Sequence, residues 1–219
     1  MSSIKLKHSG GNAVSLHPPT SAPSSSDVQF KLPTADGSAG QVIKTDGSGN
    51  LGFVAQPTSG ITEADQFLLT SDLTVSGTAT TVTSNLARSG YSFAGASSKI
   101  GTGMSESSGV FTFPSTGKYL ITTCASFKSD NPSIYAAFRT QFTVDGGSNW
   151  YYTAVNYTNI RDDGGNFIYA QANGQSLLDV TNVSTDKIRF SATSNGTSYV
   201  VGHVNEAYTS IVFMRLGDT

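Results

Sequence analysis

The run from Gly109 to Phe127, G-V-F-T-F-P-S-T-G-K-Y-L-I-T-T-C-A-S-F, constrains this chain more than any other stretch. A β-branched and aromatic segment, Val110 to Phe113, is stopped by Pro114 and turned at Gly117; from Tyr119 the chain resumes with β-forming residues that are apolar on both faces. Proline has no N–H to give to a ladder and belongs at a strand end, and Ser115-Thr116-Gly117 is turn chemistry that sends the chain back. Two strands joined through such a corner predict a β-sandwich.

Composition narrows the choice further. Only 13% of the 219 residues are charged, and there are 23 glycines, so little material favours helix. A net charge of −2 without clustered Lys and Arg gives no electrostatic footprint for nucleic acid or for anionic lipid. The single cysteine, Cys124, excludes an intrachain disulfide, and its apolar strand setting reads as a small core residue and not a nucleophile. Met1-Ser2-Ser3-Ile4-Lys5 lacks the apolar region of a secretory signal, and no run reaches the roughly 18 apolar residues of a membrane span. Neither export by such a signal nor membrane insertion is expected.

The first 55 residues differ in character from the rest. Ile4-Lys5-Leu6-Lys7-His8 and Val14-Ser15-Leu16 alternate around the turn Ser9-Gly10-Gly11-Asn12, which predicts a hairpin. A Pro/Ser spacer, residues 18–26, follows, and then an alternating strand from Val28 to Pro33. Gln41 to Lys44 and Leu51 to Val54 bracket Asp46-Gly47-Ser48-Gly49-Asn50 as a second hairpin. So few apolar residues cannot offset the ordering entropy of this segment in isolation: either it is disordered alone, or it folds against copies of itself or a partner, the reading favoured here.

Pro57-Thr58-Ser59-Gly60 marks a boundary. Residues 56–84 read as a linker with leading strands: Thr62 and Asp65 carry a helix-start pattern, but Phe67 to Thr70, Leu73 to Val75 and Thr80 to Thr83 are strand material. Further strands are expected at Lys118 to Phe127, Tyr135 to Val144, Trp150 to Val155, Phe167 to Ala170, Ser176 to Val180, Lys187 to Thr193, Tyr199 to Val204 and Ala207 to Leu216. The fold class is therefore all-β, a C-terminal jelly-roll β-sandwich preceded by a small segment of β-hairpins. Phe138 to Asp145 and Ile188 to Ala192 have one apolar and one polar face. The last strand is apolar on both: Ile211 and Phe213 point one way, Val212, Met214 and Leu216 the other. A strand apolar on both faces must be covered on both, and these five residues are the expected subunit interface of an oligomer.

The F-x-F-P-x-x-G-x-Y pattern from Phe111 to Tyr119 resembles the signature of the complement C-one-q globular head and its tumour-necrosis-factor-like relatives. The resemblance spans residues 85–219 and implies a trimeric jelly roll ending in a short apolar strand; the collagen-like repeats that often precede such heads are missing. The leader, S-I-K-L-K-H-S-G-G-N with K-L-P-x-x-D-G-S-A-G-Q-V-I-K-T-D-G-S-G-N-L, is similar to leaders of structural proteins of marine bacteriophages, cyanophages in particular. That resemblance implies that residues 1–55 anchor the chain to a virion, with Ile4, Leu6, Val14, Leu16, Val28, Phe30 and Leu32 as the apolar anchor residues. Other virion proteins (tail, adaptor or capsid) are the partners it implies.

Chemistry is sparse. Gly47-Ser48-Gly49-Asn50-Leu51-Gly52 matches G-x-G-x-x-G but no helix follows, which leaves a hairpin turn. His8, His17 and His203 lack metal-ligand spacing, Asp145, Asp162 and Asp163 lack the EF-hand pattern, and no carboxylate pair stands out as a glycosidase dyad. No catalytic residue, metal or cofactor is expected. Three N-x-S/T matches, at Asn156, Asn182 and Asn195, follow from the abundance of these residues. The candidate receptor residues are Asn131, Tyr135, Trp150, Tyr152 and Tyr157, because aromatics beside Asn and Ser suit a host surface receptor or glycan. The sequence thus reads as a non-enzymatic virion protein, a trimeric tail fibre or receptor-binding appendage; the alternative is a capsid or tail decoration protein that binds no receptor.

Overall fold

A computed structural model describes residues 4–24, 28–56, 60–88, 99–129, 133–161 and 166–219, among which there are strands and no helix. The chain divides into two compact units, residues 1–59 and 60–219.

The N-terminal unit contains two hairpins. Strands β1 (Ile4–Lys7) and β2 (Ala13–Leu16) pair with Ile4 opposite Leu16 and Leu6 opposite Val14. This register puts the apolar positions on one face of a two-stranded ribbon and Lys5 and Lys7 on the other. Strands β3 (Gln41–Thr45) and β4 (Leu51–Ala55) form the second hairpin. The segment expected as a strand from Val28 to Pro33 forms none. Only Lys31 makes a parallel bridge, its N–H donating to the Gly49 carbonyl and its carbonyl accepting from Leu51 N–H, each at 2.8 Å. A second pairing strand is missing, and Val28, Phe30 and Leu32 stay exposed. Among the described side chains of this unit none is buried.

The second unit has two facing sheets. Its strands are β5 (Ala64–Leu69), β6 (Leu73–Val75), β7 (Thr80–Thr81), β8 (Leu86–Ala87), β9 (Lys99–Ile100), β10 (Ser105–Ser107), β11 (Val110–Thr112) and β12 (Gly117–Ser129). They continue with β13 (Ser133–Thr143), β14 (Tyr151–Ile160), β15 (Ile168–Val180), β16 (Lys187–Ser194), β17 (Ser198–Val200) and β18 (Ser210–Gly217). One sheet runs β10-β11-β16-β13-β14, with β7 also against β16. In the other, β12 carries β15 along one edge and β18 and β17 along the other, and β5 lies beyond β18. Of residues 56–84, read from sequence as linker and leading strands, β5, β6 and β7 are thus woven into both sheets.

The core between the sheets is aromatic. Phe111 lies 4.9 Å from Phe67, 5.8 Å from Phe190 and 5.0 Å from Phe213, and Phe138 stacks on Phe190. The corner on which the sequence turned is built as its residues require. Ser108 and Gly109 take positive φ in a two-residue turn between β10 and β11, and a Cβ on Gly109 would meet the Val82 carbonyl at 1.9 Å. Beyond Pro114, the buried Tyr119 packs 4.8 Å from Phe113 and donates its hydroxyl to the Ser115 carbonyl at 3.0 Å. An ion pair supports one end: Arg88 bonds Asp65 through Nη2 at 2.5 Å, and the buried Asp65 carboxylate also accepts from Met104 N–H.

In the head two expectations differ: Ile168–Ala170 and Ser176–Val180 are parts of a single strand, β15, which pairs continuously with β12, and of the expected strand Tyr199 to Val204 only Tyr199 and Val200 are in β17. Gly174 marks a close approach and not a turn: a Cβ there would lie 1.9 Å from the Asn156 amide of β14.

Candidate functional site

The last strand divides the residues expected at a subunit interface. Ile211 and Phe213 are each 1% exposed and belong to the protomer's own core, so neither is available to a second subunit. Val212 and Met214 lie half-buried on the opposite face, and Leu216 is exposed. That outer face carries an apolar row across four strands in register, Leu177 of β15, Leu120 of β12, Met214 of β18 and Ala64 of β5. Leu177 is 67% exposed. Sequence reasoning missed Leu120 and Leu177; the signal available was an apolar residue on an otherwise largely polar outward face, Leu120 between Lys118 and Thr122 and Leu177 between Gln175 and Asp179.

The anticipated receptor residues do not form one cluster. Trp150 lies under the Arg189 guanidinium, 4.2 Å from the ring centre, and Arg189 also donates from Nε to Gln141 at 3.1 Å. Burial lowers the pKa of Arg189 below the usual guanidinium value. Tyr152 is exposed beside Arg139. Tyr157 pairs in register with Ala137, whereas Tyr152 pairs with Gln141, four residues or about 13 Å further along β13. Tyr157 and Tyr135 meet edge to face at 5.9 Å. Asn131 falls outside the described residues, as do Asp162 and Asp163. Asp145 spends its carboxylate on its own loop, accepting from Thr143 Oγ1 at 2.6 Å and from Asn149 through N–H and side chain. Among the described residues no group of three His, Cys, Asp or Glu is placed to hold a metal ion, and no helix is long and apolar enough to cross a membrane.

The opposite end of the Leu177 face is different. There Tyr169 of β15, Lys128 of β12, Tyr199 of β17 and Thr74 of β6 share a register row. An open cleft of about 760 Å³ lies at this end, between the β5–β6 turn and the β17–β18 connection. Its Lys128 Nζ sits 2.5 Å from Asp72 Oδ2, with the rings of Phe167 and Tyr199 at 5.8 and 5.9 Å. Bonding to Asp72 raises the Lys128 pKa and keeps the ammonium charged. Asp72 Oδ1 accepts from Gly202 N–H at 3.0 Å. The two loops approach this closely because residue 202 has no side chain; a Cβ there would lie 2.3 Å from Ser71 backbone. On the other wall the His203 ring stands perpendicular to Tyr208 at 6.1 Å. A hydrogen bond to Glu206 holds the Tyr208 hydroxyl protonated to higher pH than usual. From sequence, Lys128 stood only at the start of a candidate recognition loop reaching to Tyr135 and His203 only among histidines without metal-ligand spacing; the others were not singled out. They come from four separate strands and loops, and no local motif unites them.

No family model matches the chain, and no curated protein matches it. Solved structures do. Eiger TNF from S. frugiperda superposes with a TM-score of 0.53 at 11% identity, covering 71% of this chain and 93% of that one. Murine APRIL gives 0.49 at 10% identity over 70% and 98%. The PRD1 vertex protein P5 gives 0.45 at 16% identity over 73% and 100%. The Eiger similarity shows the fold: the all-β, two-sheet second unit is a jelly roll like that of Eiger TNF.

Proposed function

We propose that the chain is a non-enzymatic structural protein of a virus particle, a trimeric fibre or receptor-binding head mounted through residues 1–55. The observation that carries this reading is the disparity between the two units. The head closes a full aromatic core of its own, while the leader presents Ile4, Leu6 and Leu16 about two-thirds exposed on one face of a ribbon. Such a ribbon gains its stability from whatever covers that face, which is what an anchoring segment requires. The likeness of its wording to phage leaders supports a virion as the location and virion proteins as the partners.

Trimerisation is supported by the outer face of the β15-β12-β18-β5 sheet, where Leu177, Leu120 and Met214 offer apolar area beyond the protomer core. The interface in this reading is Val212, Met214 and Leu216 together with Leu120 and Leu177, without Ile211 and Phe213.

The test is deletion of residues 1–55 in the virus. The truncated chain is expected to remain a folded trimer and to be lost from purified particles; incorporation at the normal level would refute the anchor. A label on the C-terminus, viewed by electron microscopy of intact particles, then locates the head. Label on a few projecting spikes supports the receptor-binding appendage, and label over the whole shell replaces it with a decoration protein.

A further inference from the structure

We propose that the cleft between the β5–β6 turn and the β17–β18 connection is a binding site for an uncharged sugar. This deepens the receptor-binding reading and moves the site away from Trp150, Tyr152 and Tyr157. The cleft's volume, about 760 Å³, lies within the range of small-molecule sites. It offers two exposed tyrosines, Tyr169 (62%) and Tyr208, whose apolar ring faces suit the C–H face of a pyranose. Between them the Asp72 carboxylate and the Lys128 ammonium are held side by side, an acceptor next to a donor, which matches neighbouring sugar hydroxyls. Both groups are fixed before a ligand arrives: Asp72 by Gly202 N–H, Lys128 by Asp72 and two rings.

The charges select among polar ligands. Asp72 and Lys128 cancel, and Glu206 beside Tyr208 leaves the site slightly negative, so uronates, sulfates and phosphates are disfavoured. Cationic ligands are disfavoured as well, because the aromatic pair that would receive an ammonium is already filled by Lys128. An uncharged polyhydroxylated ring satisfies what remains. The site also stays clear of the proposed subunit face. Tyr169 is eight residues along β15 from Leu177, roughly 26 Å at about 3.3 Å per residue. In a trimer three such clefts act together, which raises the strength of weak single sites.

The experiment is saturation-transfer NMR on the full chain with glucose, galactose, mannose, N-acetylglucosamine, glucuronate and choline as probes. Transfer to at least one neutral sugar is expected, with Kd on the order of 1 mM and little transfer to glucuronate or choline. Tyr169→Ala and Tyr208→Ala, both at exposed positions, should each weaken it about tenfold. Asp72→Asn keeps an oxygen for Gly202 but frees the charge of Lys128, so glucuronate should now bind while the neutral sugar weakens. No transfer to any neutral sugar overturns the proposal. So does binding that survives Tyr169→Ala but is lost in Tyr152→Ala, or wild-type binding of glucuronate or choline equal to that of the sugars. Sugar binding is measured on free protein and anchoring on particles, so either reading can fail while the other stands.

Discussion

The leader ribbon and the β13–β16 pair of the head are written in the same alternating code, yet they end in opposite states. Ile4 and Leu6 alternate with lysines and are 65% and 67% exposed; Phe138 and Phe190 alternate with polar residues and are essentially buried. Alternation decides which face a residue occupies, and a second layer decides whether that face leaves water. In the head the second layer comes from the same chain, through β5, β12 and β18. In the leader the described chain supplies two strands at a time and no facing sheet. The comparison teaches that a hydrophobic pattern is only half of a fold specification.

The comparison breaks first at the core. Phe111→Ala should cost the head about 3–5 kcal/mol in chemical denaturation, since its ring touches three others and the cavity is enclosed. Leu6→Ala should move the same transition by less than about 0.5 kcal/mol. An equal loss in both would mean that the leader is packed and stabilises the head. Next in size is Gly109→Ala. Its positive φ and the Val82 carbonyl at 1.9 Å from the added carbon predict a loss of about 1–3 kcal/mol, whereas Gly40→Ala in the leader, with open space around it, carries only the φ penalty and should leave the head transition unmoved. At the proposed subunit face, Leu177→Asp places a charge that a single protomer leaves in water and a trimer would bury. Sedimentation should show the mass falling from three protomers to one with the strand signal in circular dichroism unchanged. A persisting trimer would remove Leu177 from the interface.

Much of the head was legible because its signals are local. The run from Gly109 to Tyr119 holds its signals within eleven residues: Gly109 takes positive φ in the β10–β11 turn, Pro114 lies past the end of β11, and Tyr119 is buried in β12 with its hydroxyl on the Ser115 carbonyl. The alternation of β18 likewise fixed which residues share a face, but not which face the protomer itself would fill, so Ile211 and Phe213 were assigned outward. The division of β15 into two expected strands has a related reason: a glycine at a strand end and one that admits a neighbour's side chain are written alike, and what Gly174 admits is Asn156, eighteen residues away in sequence. The cleft as a unit was not legible, although Lys128 opened a candidate recognition loop. Asp72, Lys128, Tyr169 and His203 are ordinary surface residues until β5, β12, β15 and β17 bring their ends together.

The smallest expected effect is also the most direct comparison, because each unit contains a Gly/Ser loop running from an aspartate to an asparagine four residues on. Asp46-Gly47-Ser48-Gly49-Asn50 closes β3–β4, and Asp145-Gly146-Gly147-Ser148-Asn149 lies between β13 and β14. In each, the aspartate accepts from the asparagine's N–H and side-chain amide, at 3.1 and 2.5 Å in the leader and at 3.0 and 2.7 Å in the head. Both carboxyls are held below the ordinary value of 3.8, Asp46 chiefly by the Asn50 amide and Asp145 chiefly by the Thr143 hydroxyl. A lowered folded pKa contributes stability that is complete above the unfolded value and is lost as pH falls through the folded one. Asp145→Asn should therefore flatten the decline in head stability between about pH 5 and about pH 2, followed by denaturation at each pH. Asp46→Asn should leave that decline unchanged, because the strands its loop joins bury no side chain whose loss would be felt in the head transition. A shift from Asp46→Asn equal to that from Asp145→Asn would show the two units unfolding together, and the contrast between them would have to be rebuilt on cooperativity instead of burial.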